Sequence, residues 1–198
     1  MGGERRGFPL FAPRGLALRP TSGRVRKALF DILGESIVGA RFLDLFAGTG
    51  ALGIEALSRG GAFSEFLEEA TVALAAIRRN LKECGFTDRA RVIGGRLPGA
   101  LSRISPGEEF QFVFADPPYD DRSLESTLRV LGGMRSLSQN AQVVLEHRKL
   151  WKPPDALGPL ALGRSVRYGD TVLSFFHLSS QAARARETTI DRSPTGPI

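Results

Sequence analysis

Four consecutive residues, Asp116-Pro117-Pro118-Tyr119, join a carboxylate, two ring-locked backbone positions and an aromatic ring. Successive prolines fix φ, which holds the Pro117 carbonyl in one direction. Asp116 and that carbonyl can each accept one N–H of a planar amine and so turn its lone pair out of conjugation, toward an electrophile. The same two acceptors stabilise positive charge developing on the nitrogen. Tyr119 offers a stacking face to a base swung out of its helix. With a neutral leaving group no covalent intermediate is needed, and most of the gain is positioning. A plain turn after a buried strand would explain the prolines, but not the Asp and Tyr that flank them.

A second constellation lies upstream. The apolar run Phe42–Phe46 stops at small residues, where Gly48, Gly50 and Gly53 spell G-x-G-x-x-G, and a helical pattern starts at Ala51. That is a buried parallel strand, a tight turn and a helix whose free N–H groups suit an anionic group. Alone it indicates only a nucleotide-like cofactor. Asp44, inside the strand near its carboxyl end, narrows the choice: it would repel a pyrophosphate and attract the ammonium of S-adenosylmethionine. Glu68 ends the next strand 20 residues beyond Gly48, the spacing at which a carboxylate meets the ribose hydroxyls of an adenosine.

The elements that must position these groups follow from the pattern of the 198 residues. Helices are expected over Arg24–Ile37, Ala51–Arg59, Thr71–Gly85 (with Gly85 as its stop) and Arg122–Leu131. Strands are expected over Phe42–Phe46, Phe63–Glu68, Arg91–Ile93, Phe110–Asp116, Gln142–His147, Leu162–Tyr168 and Thr171–Leu178, the last two joined by a Gly169-Asp170 turn. Residues 98–109 read as a loop or short helix and Leu150–Pro159 as a connecting turn. The order is a series of parallel βα units closed by an antiparallel hairpin. It divides the chain into a basic N-terminal arm (1–23), one α/β domain (24–178) and a tail from Ser179 with no apolar period, expected to be disordered.

Composition excludes several classes. Hydrophobic residues make up 42% and charged residues 24%, as in an ordinary folded domain. No run is long enough for a membrane span, and MGGERRG lacks the apolar core of a secretory leader. One cysteine, Cys84, permits no internal disulfide and suits a reducing cytoplasm; its expected role is packing. With only His147 and His177 beside it, no zinc site is expected. The net charge of +6 is concentrated: residues 1–27 hold seven Lys or Arg against Glu4 alone, and the remainder balances at twenty of each sign. Arg5, Arg6, Arg14, Arg19 and Arg24 are therefore expected to contact a polyanion.

Beyond these readings the chain resembles the RsmD family, the 16S ribosomal RNA guanine-N2 methyltransferases. The stretches that carry the resemblance are RPTSGRVRKALFDIL (19–33), FLDLFAGTGALGIEALSRG (42–60), FLEE (66–69), DPPYD (116–120), VVLEH (143–147) and RYGDTVLSFF (167–176). It implies a Rossmann-like S-adenosylmethionine-dependent methyltransferase fold with a seven-stranded, mostly parallel sheet and a C-terminal antiparallel hairpin. It also implies a cytoplasmic monomer without metal or membrane, acting on 16S rRNA, either naked or within an assembling small subunit. The catalytic set is then Asp116, Pro117, Pro118 and Tyr119. S-adenosyl-L-methionine would be held by Asp44, Phe46, Ala47, Gly48, Gly50, Glu68, Glu69, Arg96 and Leu97. Arg19 and Thr21 would lie near the cofactor's methionine end and the RNA. Arg96 departs from the family pattern, standing where an Asp or Asn usually faces the adenine amine; a guanidinium cannot accept from that amine. Two other readings stay open: an adenine-N6 methyltransferase on DNA or RNA, and a non-catalytic RNA-binding protein with a degenerate cofactor site.

Overall fold

The structure, a computed structural model, describes residues 1–13, 23–104, 107, 109–118 and 121–183. Five strands come first, β1 (Arg41–Leu45), β2 (Phe63–Glu68), β3 (Ala90–Gly94), β4 (Phe110–Ala115) and β5 (Leu137–Arg148), of which β1 and β4 are the most continuously apolar. These lie parallel in the order β3-β2-β1-β4-β5. Beyond β5 the sheet continues antiparallel through β8 (Thr171–Leu178), β7 (Leu160–Tyr168) and β6 (Ala156–Leu157). The sheet thus has eight strands where seven were expected. The addition is β6, two residues within the presumed connecting turn, held in the sheet only by pairing with Leu160 and Ala161.

Strands with two apolar faces need cover on both sides. α1 (Gly23–Leu33), α2 (Ala51–Ser58) and α3 (Thr71–Cys84) cover the face bearing Phe42, Phe66, Phe112 and Phe114. α4 (Leu124–Gly133) and a short 3-10 turn at Gly99–Arg103 cover the face bearing Leu43, Leu45, Val113 and Leu145. Phe42 stacks on Phe112 at 5.2 Å, and Phe30 of α1 meets Phe114 edge-on at 5.8 Å. None of the described helices is long and apolar enough to cross a membrane.

Several boundaries move, each for a local reason. α1 stops at Leu33 instead of Ile37, because Gly34 turns left-handed (φ 56°) and residues 34–37 tighten into a 3-10 turn. β4 ends at Ala115, one residue short, so that Asp116 stands just past the strand. β5 begins at Leu137, five residues early, through a register shift against Phe110 and Phe112 that hides polar residues from the apolar pattern. α4 starts at Leu124 after Ser123, whose N–H and hydroxyl both donate to Asp121 Oδ1 at 2.6 Å. Past β8 the chain is helical at 180–183, with the Ser179 hydroxyl accepting from Ala182 N at 3.2 Å, so disorder does not begin at Ser179.

Residues 1–13 of the N-terminal arm are docked on the protein. Gly2 N donates to Glu55 Oε1 (2.8 Å), Arg5 N to Ser58 Oγ (2.8 Å) and Phe11 N to Asn80 Oδ1 (2.8 Å). Met1, Phe8 and Leu10 pack on the cluster built by α2, α3 and Phe66. The Arg5 guanidinium takes part in this docking: its Nε donates to Cys84 O (2.8 Å) at the carboxyl end of α3, where a cation is favoured.

Gly53 explains how α2 comes so close to β2. A Cβ there would lie 2.4 Å from the Phe66 ring, which is fully buried and has nowhere to go. Gly53→Ala should therefore destabilise the protein by about 1–3 kcal/mol, overpacking outweighing the better helix propensity of alanine. Urea unfolding of Gly53→Ala with and without Phe66→Leu checks this: the loss should shrink in the double variant, and an equal loss in both backgrounds would place the cost elsewhere.

Candidate active site

Strand register gathers the candidate carboxylates. Asp44 of β1 lies between Phe66 of β2 and Phe114 of β4. Glu68 and Asp116 lie two residues further along those neighbours, and alternation turns all three toward the face that α1, α2 and α3 cover. The carboxyl ends of β2, β1 and β4 thus present one acidic side chain each.

Backbone N–H groups aim two of them. Gly53 N, in the first turn of α2, donates to Asp44 Oδ2 at 2.9 Å, and Asp44 is 2% exposed. Glu68 Oε2 accepts from Gly48 N (2.7 Å), and its Oε1 accepts from Glu69 N (2.9 Å) and Ala70 N (2.8 Å). A carboxylate has about four acceptor positions, so Glu68 is fixed in direction and keeps about one open. No ion pair reaches Asp44 or Glu68 among the described residues. Burial pushes the Asp44 carboxyl well above the usual carboxylate range; the Gly53 N–H opposes this, and the charges of Asp116 and Glu68 add to it.

The turn between β1 and α2 is held under constraint. Phe46 takes φ 58°, a left-handed conformation that an aromatic residue rarely adopts. Gly50 caps α2 at φ 79°, and its N–H closes the turn on Ala47 O (2.7 Å). Ala47 N in turn donates to Leu67 O of β2 (3.0 Å). Sequence reasoning missed Asn80, which is fully buried on α3: its Nδ2 donates to Thr49 O within this turn and to Phe11 O, each at 3.0 Å. Its signal was a lone amide on an otherwise apolar helix stripe of Ala73, Ala76, Ile77, Leu81 and Cys84.

The remaining candidates divide. Asp116 is half-buried and Pro117 buried, while exposed Pro118 accepts from Asp121 N at 2.9 Å and closes the turn. Glu69 and Arg96 are exposed and 3.9 Å apart, and Leu97 is buried in the core on the α4 face. Arg6 and Arg24 are exposed. Tyr119, Arg14, Arg19 and Thr21 lie outside the described residues. No cluster of His, Cys, Asp and Glu fit for a metal occurs among the described residues.

The donor set fits a cationic adenosyl ligand better than an anionic one. Three acidic side chains converge at the carboxyl ends of adjacent strands, and the turn beside them carries the small residues Ala47, Gly48 and Gly50. Because the folded protein keeps a proton on Asp44 that the unfolded chain has already lost, stability falls as pH rises through the interval above the ordinary Asp value. Asp44→Asn still accepts from Gly53 N–H but carries no charge, so its unfolding midpoint in urea should fall less than the wild type's as pH rises above the ordinary Asp value of about 4. Parallel profiles for the two proteins would show that Asp44 ionises without penalty.

Comparison with known proteins agrees with this geometry. The family model described as Conserved hypothetical protein 95 matches residues 1–177. A Bacillus subtilis protein named provisionally as an rRNA methyltransferase, YlbH, is 34% identical over 88% of this chain and 95% of its own. The Escherichia coli ribosomal RNA small subunit methyltransferase D is 37% identical over 74% of this chain and 72% of its own. Among solved structures, an Escherichia coli protein provisionally titled methyltransferase yhhF superimposes with a TM-score of 0.77. It is 33% identical, covering 91% of this chain and 97% of its own. The sheet and helices described above are thus a Rossmann-like methyltransferase fold, and the chain belongs to the Conserved hypothetical protein 95 family, the RsmD family.

Proposed function

We propose that this protein transfers a methyl group from S-adenosyl-L-methionine to the exocyclic N2 of a guanine in 16S ribosomal RNA, in the cytoplasm and on an assembling small subunit. The observation that carries the reading is the meeting of two constellations on adjacent strand ends. Asp44, Glu68 and the Phe46–Gly50 turn lie beside the Asp116-Pro117-Pro118 turn, in a chain whose relatives are named ribosomal RNA methyltransferases.

S-adenosylmethionine, when bound, supplies an electrophilic methyl on a sulfonium. Asp44 and Asp116 give the site its negative potential, Glu68 accepts from a ribose hydroxyl, and the turn admits the ligand close to the backbone. Asp116 and the Pro117 carbonyl accept the two N–H bonds of the guanine amine and hold its lone pair toward the methyl. As charge develops on that nitrogen, the same acceptors stabilise it without reorganising, since Pro117 is buried and its φ is fixed. Tyr119 supplies the ring on which the extruded base stacks.

Asp116→Ala should lower the single-turnover rate of methyl transfer to 30S particles by about 10²–10³, the cost of one preorganised electrostatic partner. Circular dichroism would confirm the fold of the variant, and mass mapping of 16S nucleosides would identify the product. A near-wild-type rate for Asp116→Ala, or a product other than N2-methylguanine, would contradict the proposal.

A further inference from the structure

The closing hairpin holds a feature that the chemistry at Asp116 does not use. Between Leu162 and Arg164 the β7 register slips by one: Leu162 faces Phe176 and Arg164 faces Phe175, with Gly163 as the extra residue. Without that bulge Arg164 would face Ser174 and point to the opposite side of the sheet, since a one-residue shift reverses every side chain. The bulge instead lays the guanidinium over the Phe175 ring, 4.9 Å from its centroid. A cleft of about 220 Å³ opens there, lined by Gln142, Gly163, Arg164, Phe175, Phe176 and His177. A Cβ on Gly163 would come within 3.2 Å of His177 Nδ1, so the glycine also leaves room for the imidazole.

The chemistry of this cleft is specific. Phe175 is only 5% exposed and backs one face of the guanidinium, while Arg164, Gln142 and His177 are exposed. The outer guanidinium plane is a stacking surface for a base, its N–H edges suit a phosphate, and the Gln142 amide and His177 ring can meet the base edge. From Leu160 to Leu178 the only acidic residue is Asp170, which is paired with Lys149 at 2.6 Å. β6 covers β7 only at Leu160 and Ala161, so Gly163–Tyr168 forms an open edge among the described residues. Gln142 pairs with Phe112, three residues before β4 ends. The cleft therefore sits about 10 Å along and about 10 Å across from the Asp116 turn.

We propose that the cleft at the Gly163 bulge binds one unpaired nucleotide of the RNA substrate, its base stacked on Arg164. The proposal rests on the rRNA reading above and adds an anchoring point away from the reacting base. It is tested on the full-length protein by fluorescence anisotropy with 16S rRNA at fixed salt, with methyl transfer assayed separately. Arg164→Ala should weaken RNA binding about tenfold. Arg164→Lys, which keeps the charge but loses the plane, should remain several-fold weaker than wild type. Wild-type affinity in Arg164→Ala, or full recovery in Arg164→Lys, would overturn the cleft and leave Arg164 as a guard on an edge strand. A wild-type protein that binds 16S rRNA without methylating it would overturn the proposed activity, while the comparison of Arg164 variants would still decide the cleft.

Discussion

Three carboxylates that repel one another are held at the ends of three adjacent strands, and the surrounding structure follows from the need to keep them there. Asp44 and Glu68 are aimed by backbone N–H groups, not by Lys or Arg, so their charge is oriented without being neutralised. The N–H groups come from the α2 start, the Gly48 turn and the β2 exit, and each must be placed to within a few tenths of an ångström. That demand explains the close seating of α2 on Phe66, the left-handed Phe46 and the buried Asn80 that ties Thr49 to α3. Repulsion kept with no counter-ion on Asp44 or Glu68 among the described residues is costly to the empty protein and favourable to a cationic ligand.

The same reasoning separates what was legible in the sequence from what was not. β2 and β8 were readable to the residue, because each is a short run anchored by Phe and Leu whose ends are marked by charge or turn residues. The strand-end positions of Asp44 and Glu68 were readable from spacing, since the βαβ unit fixes where a carboxylate on the next strand must fall. The end of β4 was readable from residue type, because two successive prolines cannot continue a central strand. β6 and the start of β5 were not, because polar pairs such as Gln139-Asn140 enter a sheet only when a neighbouring strand is already there.

Long-range contacts account for the other misses. Arg5 reads as one of the cations facing a polyanion, and the local pattern gives no sign that its Nε also bonds to Cys84 O, 79 residues away. Nothing in the local pattern distinguishes an arginine aimed at a phosphate from one aimed at the last carbonyls of a helix. Asn80 and the Gly163 bulge share this character: each is one residue out of pattern, and only the packed structure shows what the exception is for.

The most direct measurement of the carboxylate cluster is titration calorimetry with S-adenosylmethionine and S-adenosylhomocysteine across a range of pH. The two ligands differ by the methyl group and the sulfonium charge. Below the raised titration of Asp44, the cation must displace a proton to gain the full attraction; above it, the carboxylate is already charged. The preference for S-adenosylmethionine is therefore expected to grow as pH rises through that interval, with protons released on binding at its lower end. A ratio of affinities that stays flat or falls with pH would contradict a site built around the sulfonium.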